Sequence, residues 1–319
     1  MPLIDMPLAE LRKYTGRNPR PDDFDSFWDD SLKELDAVDP RVELTPAEFT
    51  APGVEYFHMQ FTGVGGARIY AKLARPMRRD KPGPGLVLFH GYGGQSCSWT
   101  GLSVWGMAGF TVAAMDCRGQ GGRSQDVGGV VGTTLRGHIV RGLNGPTKNM
   151  LFRHVFLDAA QLARLVMQMD GVDPARVGAT GGSQGGGLTL ACAALEPRIK
   201  KAAPMYPFLS DYRRVWEMDR ADLAYEELKQ YFRNFDPTHA NEEETFRTLG
   251  YIDIQYLAPR ISAEVLMFTG LMDAICPPST QFAAYNRITA RKSMVIYHDF
   301  GHEGLPGADD RVFQFMMGL

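Results

Sequence analysis

The sequence lacks the features that define several broad classes of protein. Its 319 residues contain no run of about 18 apolar residues, which argues against a membrane-spanning helix. The opening stretch MPLIDMPLAELRKYTG has no basic segment followed by an apolar core, unlike a secretory signal peptide. The net charge is only −3 and no long basic run occurs, so nucleic acid is not expected as a partner. These absences predict a cytoplasmic protein that binds neither membranes nor nucleic acids.

Cysteine is also scarce, and its spacing argues against one common kind of metal site. The four cysteines, Cys97, Cys117, Cys192 and Cys276, are far apart, and no Cys-x-x-Cys pair occurs. Zinc binding through paired thiolates is therefore disfavoured. The pattern instead predicts free, buried thiols in a reducing cytoplasm.

What the sequence does contain is the pattern of an α/β protein. Hydrophobic residues make up 44% and charged residues 22%, which is ordinary for a globular chain. The stretches VEYFHMQFTG and ARIYAKLARP alternate in polarity and are joined by VGG, which predicts an antiparallel hairpin. From GLVLFHGYGG onward, apolar strands alternate with helical segments. That order predicts a mostly parallel sheet with helices on both faces.

One segment interrupts this alternation. Residues 211 to about 250 are charged, aromatic and helical in pattern, and they contain no predicted strand. Their place between two predicted strands indicates a helical insertion, which would serve as a lid or as an oligomer surface. The simplest account is a single domain over residues 1–319 that carries this insertion.

The stretch TGGSQGGG, residues 180–187, supports two interpretations. As a glycine-rich turn it resembles a dinucleotide-binding loop, and Tyr225 and Lys229 have the Tyr-x-x-x-Lys spacing of short-chain dehydrogenases. Such a turn belongs after the first strand, whereas here about half of the predicted strands precede it. The dehydrogenase interpretation therefore fails on position. Tyr225 and Lys229 are then expected to be two positions four apart on an exposed helix.

The second interpretation is the Gly-x-Ser-x-Gly elbow of an α/β-hydrolase, formed by residues 181–185. The apolar stretch before it predicts a short buried strand, and a helix is predicted from Gly185 onward, which is the context that the elbow requires. The sharp turn and the close packing of helix on strand leave no room for side chains at Gly181 and Gly185. Ser183 is therefore the predicted nucleophile.

A serine nucleophile needs a base and an acid that orients the base, and in this fold they follow it along the chain. Asp273 comes after the apolar strand EVLMFTG, and His302 lies in the loop after the stretch SMVIYHDF. Catalytic groups of open α/β sheets gather at the carboxyl ends of strands. Ser183, Asp273 and His302 are therefore expected to converge.

Other residues compete for these roles. Asp273 could instead cap the helix that follows it, but it lies too early in the sequence for that. His298 is a second candidate for the base, although it is expected to lie within the strand and to be structural. Asp299 and Glu303 are weaker candidates for the acid, because neighbours of the base in sequence do not easily reach behind its ring.

Acyl transfer also needs hydrogen-bond donors for the oxyanion that forms. One donor is the backbone N–H of the residue after the nucleophile, Gln184. The loop HGYGG, residues 90–94, predicts the other donor at the backbone N–H of Tyr92. The side chain of His90 is expected to brace this loop rather than to act as a second base.

Three motifs together resemble carbohydrate esterase family 7, which comprises acetyl xylan esterases and cephalosporin-C deacetylases. They are RGQGG at residues 118–122, GGSQGG at 181–186 and GHE at 301–303. The likeness extends over nearly the whole chain, including RPDDFDSFWDDSL near the N terminus and FLSDYRR at 208–214. The resemblance implies deacetylation of small substrates: acetylated xylo-oligosaccharides, cephalosporin C and simple acetate esters.

The resemblance also implies roles for individual residues. It implies Ser183 as the nucleophile, His302 as the base and Asp273 as the residue that orients it. It implies oxyanion donors at Tyr92 and Gln184. It implies a homohexamer whose active sites face an internal cavity that excludes large polymers. The mechanism needs no metal and no organic cofactor.

Four bulky or stiff residues beside the motifs are candidates for closing a short acyl pocket: Tyr92, Tyr206, Pro207 and Ile275. Ordinary core packing near the site is the alternative explanation for each of them. Arg118 is expected to hold loops together through an ion pair, with Glu303 as its candidate partner.

Two other classes of function stay open. Among enzymes, a broad carboxylesterase or a peptidase of the prolyl-oligopeptidase type is the alternative, although this chain has no room for a propeller domain. A binding protein that has lost its chemistry is a more remote alternative, because such proteins usually lack a member of the triad or the oxyanion loop.

Overall fold

The computed structural model describes residues 4–129, 131–132, 134–219 and 223–319. Within these ranges nine strands form a single sheet. The strands are β1 (Glu43–Pro46), β2 (Val54–Thr62), β3 (Arg68–Pro76), β4 (Gly83–Phe89), β5 (Thr111–Met115), β6 (Val172–Gly182), β7 (Lys201–Met205), β8 (Glu264–Gly270) and β9 (Lys292–Tyr297). Their order across the sheet is β1-β2-β3-β5-β4-β6-β7-β8-β9.

The α-helices of the described ranges lie before, between and after these strands. They are α1 (Leu8–Leu11), α2 (Phe24–Asp36), α3 (Trp99–Met107), α4 (Leu151–Met167), α5 (Gln184–Leu195), α6 (Tyr212–Glu217), α7 (Glu226–Phe235), α8 (Glu242–Leu249), α9 (Ile254–Leu257), α10 (Pro278–Arg287) and α11 (Ala308–Met316). None of them is both long and apolar enough to cross a lipid bilayer.

The pairing of the strands confirms the predicted architecture. Strands β5, β4, β6, β7, β8 and β9 pair in parallel, and β1, β2 and β3 extend the sheet by antiparallel pairing. Strands β2 and β3 are the predicted hairpin, with Val54 opposite Pro76 and Thr62 opposite Arg68. The short edge strand β1 was not anticipated, because all four of its residues are exposed and only Leu44 among them is a large apolar residue.

Helices cover both faces of the sheet, as side-chain alternation requires. On β4, Val87 belongs to the larger core that includes α4 and α5. Its neighbour Leu86 belongs to a smaller core on the other face, together with residues of α3 and α11. Helix α3 was missed from the sequence because it has no amphipathic stripe: Val104 and Met107 are exposed, whereas Ser103 and Gly106 are buried. Gly106 lies so close to β2 that an added Cβ would meet Val54 at 2.7 Å.

The predicted insertion lies between β7 and β8 and consists of helices α6 to α9. It runs slightly beyond the predicted limit of about residue 250, since α9 ends at Leu257. Tyr225 in this segment is fully buried and packs against Phe208 and Tyr212, so the expectation of an exposed position there was wrong. Its hydroxyl group donates to the carbonyl oxygen of Ser210.

Residues 5–18, called here the N-terminal arm, contact this insertion through ion pairs and hydrogen bonds. The Asp5 carboxylate forms an ion pair with Arg214 of α6 at 2.8 Å. The Tyr14 hydroxyl group donates to the buried Asp211 carboxylate at 2.7 Å. The arm therefore ties the insertion to the rest of the chain.

Candidate active site

Ser183 lies on a sharp turn between β6 and α5. Its backbone has φ 58° and ψ −119°, a conformation that non-glycine residues rarely adopt and that stores strain. The turn is held by the Ser183 N–H, which donates to the Met205 carbonyl oxygen at 3.0 Å. An added Cβ would lie 2.5 Å from the Phe89 carbonyl oxygen at Gly181, and 2.2 Å from it at Gly185. The two motif glycines are therefore a steric requirement of the turn.

His302 and Asp273 meet at the same edge of the sheet, because they follow the neighbouring parallel strands β9 and β8. The Nδ1 atom of His302 lies 2.8 Å from Oδ2 of Asp273. The other carboxylate oxygen accepts the backbone N–H groups of Ile275 and Cys276 at 2.9 and 2.8 Å. An ionised carboxylate only accepts, so Nδ1 of His302 carries the hydrogen and Nε2 keeps its lone pair.

The competing histidine and the two competing acids are exposed to solvent. Strand β9 ends at Tyr297 and His298 is exposed in the following turn, so the prediction that His298 lies within the strand was wrong. Asp299 is exposed in the same turn. Glu303 accepts the backbone N–H of Gly301 at 2.9 Å through Oε1.

A cavity of about 460 Å³ opens in front of the serine. It is lined by His90, Gly91, Tyr92, Gly94, Gln95, Leu135, Arg136, Ser183, Ala224, Ile275 and His302. The cavity thus brings the predicted nucleophile and the predicted base to one surface. It also includes two of the four residues proposed to close an acyl pocket, Tyr92 and Ile275.

The other two proposed pocket residues do not belong to the lining of this cavity. The ring of Tyr206 packs against the imidazole of His302, with ring centroids 4.6 Å apart. Pro207 is buried beside the first turn of α5, where its Cα would lie 3.0 Å from a Cβ added at Gly186. Tyr206 therefore packs on the His302 ring, and Pro207 packs against the elbow helix.

The loop 90–94 is braced by His90. The backbone N–H of Cys117 donates to Nε2 of His90 at 3.0 Å, so the ring hydrogen is on Nδ1, which donates to the Gly91 carbonyl oxygen at 2.7 Å. Burial lowers the pKa of His90, which keeps the ring neutral. These contacts agree with a bracing role. Tyr92 lies in the middle of this loop, and Gln184 is the first residue of α5, where N–H groups have no partner within the helix.

Cys276 is a neighbour of the predicted triad that the sequence did not reveal. Its side chain is fully buried and lies near Ser183, and burial raises the pKa of the thiol well above its usual value. One ligand-type atom each from Asp273, Cys276 and His302 lie within 4.8 Å of one another. The Asp273 and His302 atoms already bond each other, and the raised pKa keeps the thiol protonated, which disfavours its use as a metal ligand.

Cys192 and Cys117 are also buried, but Cys97 is exposed, contrary to expectation.

Arg118 does form a buried ion pair, but its partner is not the one expected. Its guanidinium binds both carboxylate oxygens of Asp158 in α4, at 2.7 and 2.6 Å, and also donates to the Val64 carbonyl oxygen at 3.0 Å. Both side chains of the pair are at most 1% exposed. The pairing of Arg118 with Glu303 is therefore wrong. The Arg118–Asp158 pair joins the loop after β5 to helix α4.

The Tyr92 side chain is tied to the helical insertion. Its hydroxyl group donates to Glu227 of α7, and the other oxygen of that carboxyl group accepts the N–H groups of Ile139 and Val140 at 2.8 and 3.1 Å. Burial raises the pKa of Glu227 to about 7. Sequence reasoning missed this residue, because a glutamate on a charged helix gives no sign of being buried.

Comparison with known proteins decides the family. The model of the family described as "Acetyl xylan esterase (AXE1)" matches residues 1–319. The chain belongs to the acetyl xylan esterase family. This result confirms the resemblance seen in the three motifs and the prediction of a carboxylic-ester hydrolase.

Solved structures of other acetyl xylan esterases share the fold over almost their full length. Acetyl xylan esterase 1 from Thermoanaerobacterium sp. JW/SL YS485 is 55% identical, with a TM-score of 0.95 over 98% of this chain and 99% of that one. The acetyl xylan esterase from Paenibacillus sp. R4 is 35% identical, with a TM-score of 0.91 over the same shares of the two chains. These matches confirm the α/β-hydrolase fold for this family member.

A longer relative is also similar. The acetyl esterase Axe7A of Xylanibacter ruminicola is 27% identical over 293 residues, which cover 90% of this chain. The matched part is 64% of that protein, so this family member spans less than two thirds of its relative's length.

Proposed function

We propose that this family member is a serine esterase that removes acetyl groups from small acetylated substrates. The observation that carries the proposal is the arrangement of Ser183 and His302. Both line one cavity, the serine is on the strained elbow, and the histidine is oriented by Asp273. Membership of the acetyl xylan esterase family supports the acetyl group as the acyl part.

In the first half of the reaction, Ser183 Oγ attacks the acetyl carbonyl carbon while Nε2 of His302 accepts the hydroxyl proton. Asp273 stabilises the imidazolium that forms, because its carboxylate faces Nδ1 at 2.8 Å. The backbone N–H groups of Tyr92 and Gln184 donate to the oxyanion. When the intermediate collapses, the alcohol leaves with the proton held by His302, and the acetyl group stays on Ser183.

In the second half, water attacks the acetyl-enzyme. His302 accepts a proton from the water and returns it to Ser183 Oγ as acetate leaves. The same two backbone donors stabilise the second oxyanion. No step requires a metal or an organic cofactor.

The size of the cavity supports small substrates. A volume of about 460 Å³ lies within the range of about 300–1,000 Å³ that is usual for small-molecule sites. Acetylated xylo-oligosaccharides, cephalosporin C and simple acetate esters are the substrates that we propose. A carboxylesterase of broad acyl specificity is the alternative, and the acyl preference decides between them.

The assembly and location of the protein are further parts of the proposal. We propose a homohexamer on the basis of the family-7 resemblance, and a cytoplasmic location because all four cysteines are free thiols. Light scattering coupled to size-exclusion chromatography tests the hexamer, which should have about six times the mass of one chain. Cell fractionation tests the location.

The decisive experiment measures acetate released from acetylated xylo-oligosaccharides and from cephalosporin C. The variant Ser183→Ala should lose roughly 10⁴- to 10⁶-fold in kcat, because the nucleophile is absent. The variant Ser98→Ala is a suitable control, since Ser98 caps α3 away from the cavity. Retention of most of the activity by Ser183→Ala would disprove the assignment of the nucleophile.

A further inference from the structure

Two buried amide side chains lie beneath the active site and bind each other. Gln120 is in the loop after β5, and Gln184 begins α5; both are 0% exposed. Nε2 of Gln120 donates to Oε1 of Gln184 at 2.8 Å, and Nε2 of Gln184 donates to Oε1 of Gln120 at 3.0 Å. The backbone N–H of Gly93 donates to the same Gln120 oxygen at 2.9 Å.

These contacts fix the orientation of both amides. A backbone N–H can only donate, so the Gln120 atom that faces Gly93 must be the oxygen. Its nitrogen then points to Gln184, which must present its own oxygen there and its nitrogen to Oε1 of Gln120. Only an amide, or a group with the same pair of acceptor and donor, satisfies all three hydrogen bonds.

The partners of Gln120 are the two segments that carry the proposed oxyanion donors. Gly93 directly follows Tyr92, and Gln184 directly follows Ser183. We propose that Gln120 is a positioning residue that sets the separation and the direction of the Tyr92 and Gln184 N–H groups. Its side chain does not touch substrate and acts through these two backbone donors. This inference rests on the proposed esterase function.

The loop that carries Gln120 is anchored by other contacts. Arg118 binds both oxygens of Asp158. The Asp116 carboxylate accepts the backbone N–H of Ser96 at 2.7 Å. Loss of the Gln120 amide should therefore leave the loop in place and release only the oxyanion loop and the elbow from each other.

Catalysis is sensitive to such a release, because an oxyanion donor acts only at hydrogen-bond distance from the developing charge. Removal of one such donor lowers kcat by about 10²- to 10³-fold in a serine hydrolase. Loss of the Gln120 side chain should misplace both donors and lower kcat by about 10- to 100-fold. Ground-state binding should change little, because the neutral ester carbonyl makes weaker use of the same donors.

The first test compares Gln120→Met with Gln161→Met. Gln161 is a buried glutamine of α4, 5% exposed, whose Nε2 donates to the Thr62 carbonyl oxygen at 2.9 Å, away from the site. With p-nitrophenyl acetate, Gln120→Met should lose about 10- to 100-fold in kcat with KM changed by less than about threefold. Gln161→Met should keep the native kcat.

The inhibition constant of trifluoroacetone distinguishes a positioning role of Gln120 from a merely structural one. Trifluoroacetone forms an anionic tetrahedral adduct with an active serine, so its inhibition constant reports on the oxyanion donors. The constant should rise in Gln120→Met by the factor by which kcat/KM falls. A native kcat in this variant, or a loss of kcat without a loss of trifluoroacetone affinity, would overturn the proposal.

The variant Gln120→Glu tests the proposal even if the methionine variant fails to fold. A protonated glutamic acid offers one acceptor and one donor, like the amide, whereas the ionised form has no donor. Burial raises the pKa of such a carboxyl group. The ratio of its kcat to the native kcat should therefore be near one at low pH and fall as the pH rises, and a ratio independent of pH would contradict the inference.

The fate of the two proposals can be told apart. If Ser183→Ala is inactive and Gln120→Met is fully active, the esterase mechanism stands and the role of Gln120 is wrong. If Ser183→Ala keeps its activity, the proposed mechanism itself is wrong, whatever Gln120 does.

Discussion

The hydroxyl group of Tyr92 donates to the buried carboxyl group of Glu227, 135 residues further along the chain. This contact connects the proposed oxyanion loop, residues 90–94, to helix α7 of the insertion. The burial that it requires raises the pKa of Glu227 from 4.5 to about 7. The native state therefore holds the Glu227 proton more tightly than the unfolded chain does.

The first prediction is a pH dependence of stability. Glu227 favours the folded state most below pH 4.5, and its contribution is lost as the pH rises through about 7. Glu227→Gln stays neutral, so the loss of stability between pH 5 and 8 should be smaller by about 1–3 kcal/mol than in the native protein. Thermal unfolding across this pH range measures it.

The matched control for that prediction is Glu226→Gln. Glu226 is the neighbouring residue, partly exposed, and it pairs with Arg136 at the surface. The substitution Glu226→Gln should leave the pH dependence of the melting temperature the same as in the native protein. Equal pH dependence in native protein and Glu227→Gln would show that Glu227 does not titrate in this range.

The second prediction concerns Asp273, the residue proposed to orient the base. In Asp273→Asn the group facing Nδ1 of His302 can no longer stabilise the imidazolium and favours the wrong tautomer. We expect kcat for p-nitrophenyl acetate to fall about 10⁴-fold, with the fold intact. Asp299→Asn, which changes an exposed acid near the same histidine, should keep native activity. Comparable losses in the two variants would argue against Asp273 as the orienting acid.

The third prediction separates stability from activity at the elbow. The positive φ of Ser183 is unfavourable for any residue with a Cβ, so Ser183→Ala retains the strain and Ser183→Gly relieves it. Both variants should be inactive, and the glycine variant should be more stable than the alanine variant by about 1 kcal/mol. Denaturant unfolding of the two proteins makes the comparison. A glycine variant that is no more stable would mean that the turn is not strained.

The fourth prediction tests the buried ion pair. Arg118→Met leaves Asp158 buried without its cation, which should reduce the free energy of unfolding by about 3–5 kcal/mol. The double variant Arg118→Met with Asp158→Leu should recover much of that loss, since no buried charge remains. Glu303→Gln should change stability by less than about 0.5 kcal/mol. A large effect of Glu303→Gln would restore it as a partner of Arg118.

The fifth prediction concerns the acyl group. If Ile275 and Tyr92 limit the acyl end of the cavity, kcat/KM for p-nitrophenyl esters should decrease from acetate to hexanoate. Ile275→Ala should raise the hexanoate-to-acetate ratio by about tenfold, because it frees the space of several methylene groups. Its backbone N–H still binds Asp273, so acetate hydrolysis serves as the internal control. Undiminished native efficiency on hexanoate would contradict a small acyl pocket.

The parts of the fold and site that follow local patterns could be predicted from the sequence. Strands such as β4 and β8 are short apolar runs, and the parallel order places the residues after them at one edge. That reasoning predicted that Asp273 and His302 lie close together, and in the structure Oδ2 of Asp273 is 2.8 Å from Nδ1 of His302. The elbow around Ser183 followed from glycine positions that the close packing requires. The single-domain assignment and the catalytic roles of these residues stay predictions.

Contacts between distant charged or polar residues could not be predicted. Arg118 binds Asp158, 40 residues away in α4, and nothing in either neighbourhood distinguishes this acid from Glu303. The burial of Cys276 beside Ser183 depends on the path of the whole loop between β8 and α10. Helix α3 was missed because tight packing against β2 requires glycine where an amphipathic pattern would need larger side chains.

The N-terminal arm has a consequence for the order of folding. Tyr14 binds Asp211, 197 residues later, and the carbonyl oxygen of Leu11 accepts a hydrogen bond from Asn286, 275 residues later. During synthesis these partners emerge long after the arm itself, so the arm cannot dock until most of the chain is complete. The arm is made before its partners and is thus among the last segments to dock. The N-terminal arm of a growing chain therefore stays undocked while the parallel sheet forms.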